Sequence, residues 1–185
     1  MIDELLADAK QRMSKSVEST GSELATVRTG RASPALLDRV IVDYYGTSTP
    51  LKQLANVATT DARMLTITPY DKSAVASMEK AILESDLGLT PSNDGTVIRL
   101  SIPELTEERR RDLVRVIHGV AEEGRIAVRN VRRDTMHDLR ELKREGEAGE
   151  DEEHRAENEL QTLTDGAVAE IDALMQAKEA ELLEV

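Results

Sequence analysis

The decisive stretch of the sequence covers residues 106–144 and reads TEERRRDLVRVIHGVAEEGRIAVRNVRRDTMHDLRELKR. Its apolar residues recur every three or four positions, which places them on one face of an α-helix. A threonine followed by two glutamates is a typical helix start, because oxygen atoms there stabilise free backbone N–H groups. The pattern predicts one long amphipathic helix. Its buried positions are Leu113, Ile117, Val120, Ala127, Val128, Val131, Leu139 and Leu142.

The same helix carries a dense row of basic residues, nearly all arginine, on another face. At about 100° per residue the row fills an arc of roughly 150–160°, on which Met136 intrudes, so the separation from the apolar face is good but imperfect. Residues 109–144 hold eleven Lys or Arg against six Asp or Glu, whereas residues 145–185 hold two against fourteen. In a chain of net charge −12, this separation indicates an oriented docking surface. The basic face comprises Arg110, Arg111, Arg115, Arg125, Arg129, Arg132, Arg133, Arg140 and Lys143.

Two further long helices are predicted near the ends of the chain, over residues 2–28 and 151–183. Both show apolar residues at a spacing of three and four, and glycines and acids at 145–151 separate the last helix from its predecessor. None of the three helices can bury its apolar stripe alone. Packing against one another is the simplest solution, so we expect an antiparallel three-helix bundle.

The residues between the first and second long helices have a different pattern, with short predicted strands in place of long helices. Strands are predicted at 40–46, 64–68 and 96–100, a helix at 72–85, and a turn with Asp-Gly at its tip at 91–95. The predicted fold is therefore α+β with two domains. Residues 1–30 and 105–185 form the three-helix bundle, and residues 31–104 form a small inserted α/β domain of sandwich-like or barrel-like character.

The two crossings between these domains contain residues that break helices. Gly30-Arg31 stands at one crossing and Pro103-Glu104 at the other. Adjacent crossings of this kind are typical of a hinge between two bodies, although ordinary turn residues at a fixed junction look the same. Residue types alone leave both interpretations open.

Composition excludes several classes of chemistry. The chain has 185 residues and no cysteine, which excludes disulfides, thiol catalysis and cysteine-based metal sites. No glycine-rich phosphate loop or G-x-S-x-G elbow is present, and the three histidines show no metal-ligand spacing among themselves. No apolar run approaches the roughly 20 residues of a membrane span. We therefore expect a cytoplasmic protein that is not an enzyme and has no cofactor, metal site or membrane contact.

The basic face has two interpretations. Arginine binds phosphate with a two-pronged fork, so the row favours RNA. The near absence of aromatic side chains, three Tyr and no Phe or Trp, argues against base stacking and for docking on the backbone of folded RNA. For the basic face to stay open to RNA, the acids of the last helix must lie on the far side of the bundle. The alternative is a helical scaffold whose basic face binds an acidic protein partner or its own last helix.

Several motifs, in order along the chain, resemble those of the bacterial ribosome recycling factor family. They are RTGRASP at 28–34, DYYG at 43–46, DLGL at 86–89, PELTEERR at 103–110, AVRNVRRD at 127–134 and Ile171-Asp172. The resemblance implies an L-shaped, monomeric protein that binds the post-termination ribosome, mainly through ribosomal RNA of the large subunit. With elongation factor G and GTP it would separate the subunits, without hydrolysing GTP itself.

The resemblance also implies functional positions. Arg129 and Arg132 match the family's contacts to ribosomal RNA. The wider set of candidate RNA-binding residues adds Arg133, Arg110, Arg125, Arg28 and Arg31, and Gly30, Arg31, Pro103 and Glu104 fall at the family's hinge. One departure is Gly124, just before the arginine row. Each glycine costs about 1 kcal/mol relative to alanine in a helix interior, and the sequence leaves open whether Gly119 and Gly124 soften the helix.

Overall fold

The computed structural model describes residues 1–184 and divides them into two compact units. The first unit contains residues 1–28 and 107–183, and the second contains residues 29–106 together with Glu184. The elements of these residues, in chain order, are α1 (Ile2–Thr26), β1 (Ile41–Tyr44), β2 (Thr47–Pro50), α2 (Leu51–Leu54), β3 (Ala55–Asp61), β4 (Met64–Pro69), α3 (Val75–Glu84), β5 (Pro91–Asn93), β6 (Ile98–Ser101), α4 (Glu107–Arg144) and α5 (Glu150–Leu183), with 3-10 turns at Pro34–Leu37 and Lys72–Ala74.

The first unit is a bundle of the three long helices, and each helix packs against the other two. The prediction of a three-helix bundle is confirmed, and the helix bounds differ from the predicted ones by two residues or fewer. Aliphatic side chains fill most of the seam, because the chain has no Phe or Trp and its three Tyr lie in the second unit. The core residues are Leu6, Ala9, Met13, Val17, Ala121, Val128, Val131, Leu139, Ala156, Leu160, Ala167 and Ile171.

Each long helix also buries a threonine in the bundle. A buried hydroxyl is costly unless it is hydrogen-bonded, and all three hydroxyls donate to the carbonyl four residues earlier in their own helix. Thr20 donates to Ser16 at 2.8 Å, Thr135 to Val131 at 3.0 Å and Thr164 to Leu160 at 2.8 Å. Small, satisfied side chains at these positions allow the helices to approach closely.

The second unit is built from two antiparallel sheets. Strands β1 and β2 form a hairpin, and the other four strands form a sheet in the order β3-β4-β6-β5. Helix α3 packs on β1 and β5. The core between these elements is aliphatic and includes Val42, Leu65, Ile67, Met78, Ile82, Ile98 and Leu100.

Three of the six strands differ from the sequence-based prediction. Strands β2 and β3 were not predicted, and β5 lies in residues assigned to a turn. β2 (TSTP) has no residue that is fully buried, and β3 exposes most of its length at the edge of its sheet. The alternation of apolar and polar residues is therefore missing from these strands. The turn has the predicted Asp-Gly tip, but it is shorter than the predicted range 91–95, because β5 pairs with β6 up to Asn93.

Candidate nucleic-acid interface

Helix α4 runs unbroken from Glu107 to Arg144, through both Gly124 and Gly119. Gly124 is buried where α1 and α5 approach α4. A Cβ atom added at Gly124 would lie 2.2 Å from the Thr20 Oγ1 and 3.2 Å from the Ile171 Cδ1. At Gly119 an added Cβ would meet nothing within 4 Å. Close helix packing requires the first glycine, and nothing in the structure requires the second.

The basic face presents four exposed arginines on the middle and last third of α4: Arg129, Arg132, Arg133 and Arg140. Within residues 1–184, Arg132 and Arg140 make no ion pair and no side-chain hydrogen bond. Among the residues that the structure describes, Arg133 has only Asp134 as an ionic neighbour, at 3.9 Å. These guanidinium groups are directed to solvent and are available to an external anion.

Arg125 lies differently from the other members of the row. Its side chain is 17% exposed, and it is held between two helices. Its Nε donates to the Glu122 Oε2 at 2.9 Å, and its Nη1 donates to the Asp172 Oδ1 of α5 at 2.6 Å. The hydrogen bond to Glu122 is the largest cause that raises the pKa of Arg125 above its ordinary value, with Asp172 adding to it.

Glu122 connects Arg125 to the exposed part of the row. Its second carboxylate oxygen, Oε1, accepts a hydrogen bond from the Arg129 Nη1 at 3.0 Å. Hydrogen bonds from Arg125 and then Arg129 lower the pKa of Glu122. The four residues Asp172, Arg125, Glu122 and Arg129 thus form a series of alternating charges from α5 to the basic face. We call this series the charge ladder.

The expectation that the acids of the last helix lie away from the basic face is wrong in part. Asp172 of α5 binds Arg125, and Glu153 of α5 lies 2.6 Å from the Lys143 ammonium. Glu153 also raises the pKa of Lys143. These contacts form because one edge of the basic arc adjoins the buried face of α4. Arg125 and Lys143 lie on that edge, where they can reach α5. Arg132 lies on this same edge, seven residues after Arg125, yet its side chain is exposed, and Arg140 lies farther from the buried face.

Comparison with known proteins decides the family. The sequence model described as "Ribosome recycling factor" matches residues 20–183. The chain belongs to this family. The ribosome-recycling factor of Shouchella clausii is 59% identical over 185 residues, which is the full length of both chains. That of Rubrobacter xylanophilus is 57% identical over 97% of each chain. The resemblance drawn from the motifs is confirmed.

Solved structures of ribosome recycling factors share the fold. A solution structure of a ribosome recycling factor matches with a TM-score of 0.78 and 43% identity, covering 100% of this chain and 98% of that one. A T. thermophilus ribosome recycling factor, described with E. coli elongation factor G bound to the E. coli post-termination complex, matches with a TM-score of 0.66 and 48% identity over 99% of both chains. The predicted two-domain α+β fold, a helical bundle with a small α/β domain, is confirmed.

The remaining candidate arginines lie outside the exposed row. Arg110 is partly exposed near the start of α4, and Arg28 is exposed just after α1. Arg31 belongs to the second unit, where its Nη1 lies 2.9 Å from the Glu184 carboxylate. Sequence reasoning missed Glu122 and the contact made by Asp172. The spacing of Glu122 to Arg125 and Arg129, three and seven residues, is a signal that could have revealed the first.

The two segments that join the units each donate a backbone hydrogen bond to the turn between β3 and β4. The Ala32 N–H donates to the Ala62 carbonyl at 2.7 Å, and the Ile102 N–H donates to the Arg63 carbonyl at 2.8 Å. In sequence, the predicted hinge positions lie between these two bonds and the bundle helices. They are Gly30, which has a positive φ of 78°, Arg31, Pro103, and Glu104, whose carboxylate is 3.7 Å from the Arg63 guanidinium.

Other kinds of site have little support in the described residues. His137, Asp138 and Glu141 bring three potential metal ligands within 4.8 Å of one another on α4. His137 and Asp138 are exposed, and Glu141 already accepts a hydrogen bond from Arg144 at 2.9 Å. Within residues 1–184, no helix combines the length and apolar character needed to span a membrane.

Proposed function

We propose that this chain recycles ribosomes after termination by docking on ribosomal RNA of the large subunit through the basic face of α4. Together with elongation factor G and GTP it then splits the post-termination complex. The observation that carries the proposal is the row of exposed guanidinium groups on one unbroken helix, of which Arg132 and Arg140 have no internal partner among residues 1–184.

The chemistry of this row suits an RNA backbone. Guanidinium groups bind phosphate oxygens in pairs, and successive arginines on one helix face can follow successive phosphates. Tyr44, Tyr45 and Tyr70 are the chain's aromatic residues, and all three lie in the second unit. The basic face therefore has no stacking platform for bases, and it would position the protein without reading sequence.

The second unit has a mechanical part in this proposal. The bundle anchors the protein on RNA, and the α/β unit turns about Gly30-Arg31 and Pro103-Glu104 when elongation factor G acts on it. The hydrogen bonds of Ala32 and Ile102 to the β3–β4 turn hold both joining segments to the α/β unit, which leaves the four hinge residues to absorb the motion. The chain supplies no catalytic group, and GTP hydrolysis belongs to elongation factor G. We expect a cytoplasmic monomer without cofactor or metal.

Light scattering by post-termination ribosomes tests this function. We expect subunit dissociation when the chain, elongation factor G and GTP are all present, and none when any one of them is omitted. The double variant Arg132→Ala/Arg140→Ala should dissociate ribosomes much more slowly. Arg144→Ala is the matched control, because Arg144 is exposed on α4 but lies outside the basic face and pairs with Glu141.

Two results would contradict the proposal. One is a wild-type chain that dissociates no ribosomes under the complete conditions. The other is a stable oligomer in size-exclusion chromatography with light scattering, combined with no ribosome binding, which is the behaviour expected of a helical scaffold with an acidic protein partner.

A further inference from the structure

We propose that Glu122 is a positioning residue, which holds Arg129 ready for phosphate through the charge ladder that begins at Asp172 on α5. This inference rests on the proposed function, because it assigns a role within the same RNA-binding face. It also gives Arg125 a different role from the one predicted from sequence: Arg125 supports the face from within and does not itself contact RNA.

The ladder begins at a fixed point. Arg125 is largely covered, and its guanidinium is bound on two sides by carboxylates from two helices, at 2.9 Å and 2.6 Å. A side chain held at both its Nε and its Nη1 has little rotational freedom left. Because Asp172 belongs to α5, the packing of the bundle itself sets the position of this guanidinium.

The fixed guanidinium in turn fixes Glu122. The Oε2 atom of Glu122 is bound to Arg125, so its Oε1 atom points along α4 towards Arg129, seven residues later, and binds the Nη1 there at 3.0 Å. Arg129 is 56% exposed, and this one bond occupies only a single nitrogen of its fork. The Nε and Nη2 groups remain to bind a phosphate.

Two effects of Glu122 on phosphate binding oppose each other. Its negative charge repels a polyanion, which by itself weakens binding. Its bond to Arg129 removes in advance the side-chain freedom that Arg129 would otherwise lose on binding RNA, which strengthens binding. The repulsion is reduced because Glu122 faces two guanidinium groups at hydrogen-bond distance and because salt screens exposed charges. We therefore expect the positioning effect to prevail.

A pair of neighbouring substitutions separates these effects. Glu122→Gln and Glu123→Gln each remove one negative charge from adjacent positions of α4. In the Glu122→Gln variant one of the two carboxylate oxygens becomes an NH2 donor, which could not accept the hydrogen bond of the arginine that it faces. Glu123 is exposed and makes no ion pair within residues 1–184, so its substitution changes charge alone.

The measurement is the affinity of full-length variants for purified large ribosomal subunits at one moderate salt concentration. We expect Glu122→Gln to bind about three- to tenfold more weakly than the wild type, and Glu123→Gln to bind equally well or slightly more tightly. Asp172→Asn, on the other helix, should weaken binding in the same direction as Glu122→Gln. Circular dichroism and thermal unfolding verify that each variant is folded at the assay temperature.

The Arg129→Ala background provides the sharpest test. If Glu122 acts through Arg129, Glu122→Gln causes no further loss of affinity when Arg129 is already alanine. Equal or tighter binding by Glu122→Gln in the wild-type background would overturn the proposal, and so would a loss of the same size in the Arg129→Ala background. A wild-type chain that does not bind large subunits at all would instead overturn the proposed function itself, and this proposal with it.

Discussion

Replacing Gly124 with alanine should destabilise the bundle, although alanine is the better helix former. By helix propensity alone the substitution would stabilise α4 by about 1 kcal/mol. The new Cβ, however, would lie 2.2 Å from the Thr20 Oγ1, 3.1 Å from its Cγ2 and 3.2 Å from the Ile171 Cδ1. Forcing extra volume into a packed core costs about 1–3 kcal/mol. Because the closest contact is far inside normal separations, we take the upper part of this range.

The net effect is a loss of about 1–2 kcal/mol of unfolding free energy. For a chain of this size that corresponds to a fall of about 2–8 °C in Tm. Thermal unfolding followed by circular dichroism at 222 nm, where the helices of the bundle dominate the signal, measures it. Gly119→Ala is the matched control, five residues earlier on the same helix, where the added Cβ meets nothing within 4 Å. It should raise the stability by about 1 kcal/mol.

Thr20→Ala identifies the cause of the effect. This substitution removes both Thr20 atoms that an alanine at position 124 would overlap, so Gly124→Ala should be much less harmful in its presence. A Gly124→Ala variant as stable as the wild type would refute the reasoning. So would a loss of stability that is the same with Thr20 as with alanine at that position, because the two sites would then be uncoupled.

Two further predictions concern carboxylates. Hydrogen bonds from the Thr96 and Val97 backbone lower the pKa of Asp94. A depressed folded-state pKa stabilises the protein above the unfolded pKa of about 3.9 and loses this effect as the pH falls through the folded value. Wild type should therefore be more stable than Asp94→Asn at pH 7 in urea titrations, with the difference shrinking towards pH 3. The second prediction concerns Lys143→Met, which would leave the buried Glu153 without its 2.6 Å partner. The Tm of the Lys143→Met variant should fall further than that of Lys143→Met/Glu153→Gln. A larger fall in the double variant would contradict the prediction.

The helical part of the fold could be predicted because its signals are local and repeated. Each long helix shows apolar residues at a spacing of three and four over many turns, and glycines and acids mark the break before α5. Strands β2 and β3 lack such a signal. β3 pairs with β4 over most of its length, but most of its side chains are exposed. It is a strand because of its hydrogen bonds to β4, and its own residue pattern does not reveal this.

The candidate site, too, could be predicted from the sequence only in part. A helical wheel places the arginines on one arc, yet it cannot show which helix borders the arc or how closely. The position of α5 determines that Arg125 is covered while Arg132 is exposed. The same limit applies to Gly124, whose cost as a helix residue is visible in the sequence. Its fit against Thr20 depends on the packing of α1 and α4.

The central claim is that the exposed arginines of α4 bind ribosomal RNA through phosphate. The most direct measurement is the affinity of wild type, Arg132→Ala and Arg144→Ala for purified large ribosomal subunits across a salt series. We predict that wild-type affinity falls steeply with salt. Arg132→Ala should bind more weakly at every salt concentration, with a logarithmic slope shallower by about one, and Arg144→Ala should resemble the wild type. Equal affinities and slopes for wild type and Arg132→Ala would contradict the claim.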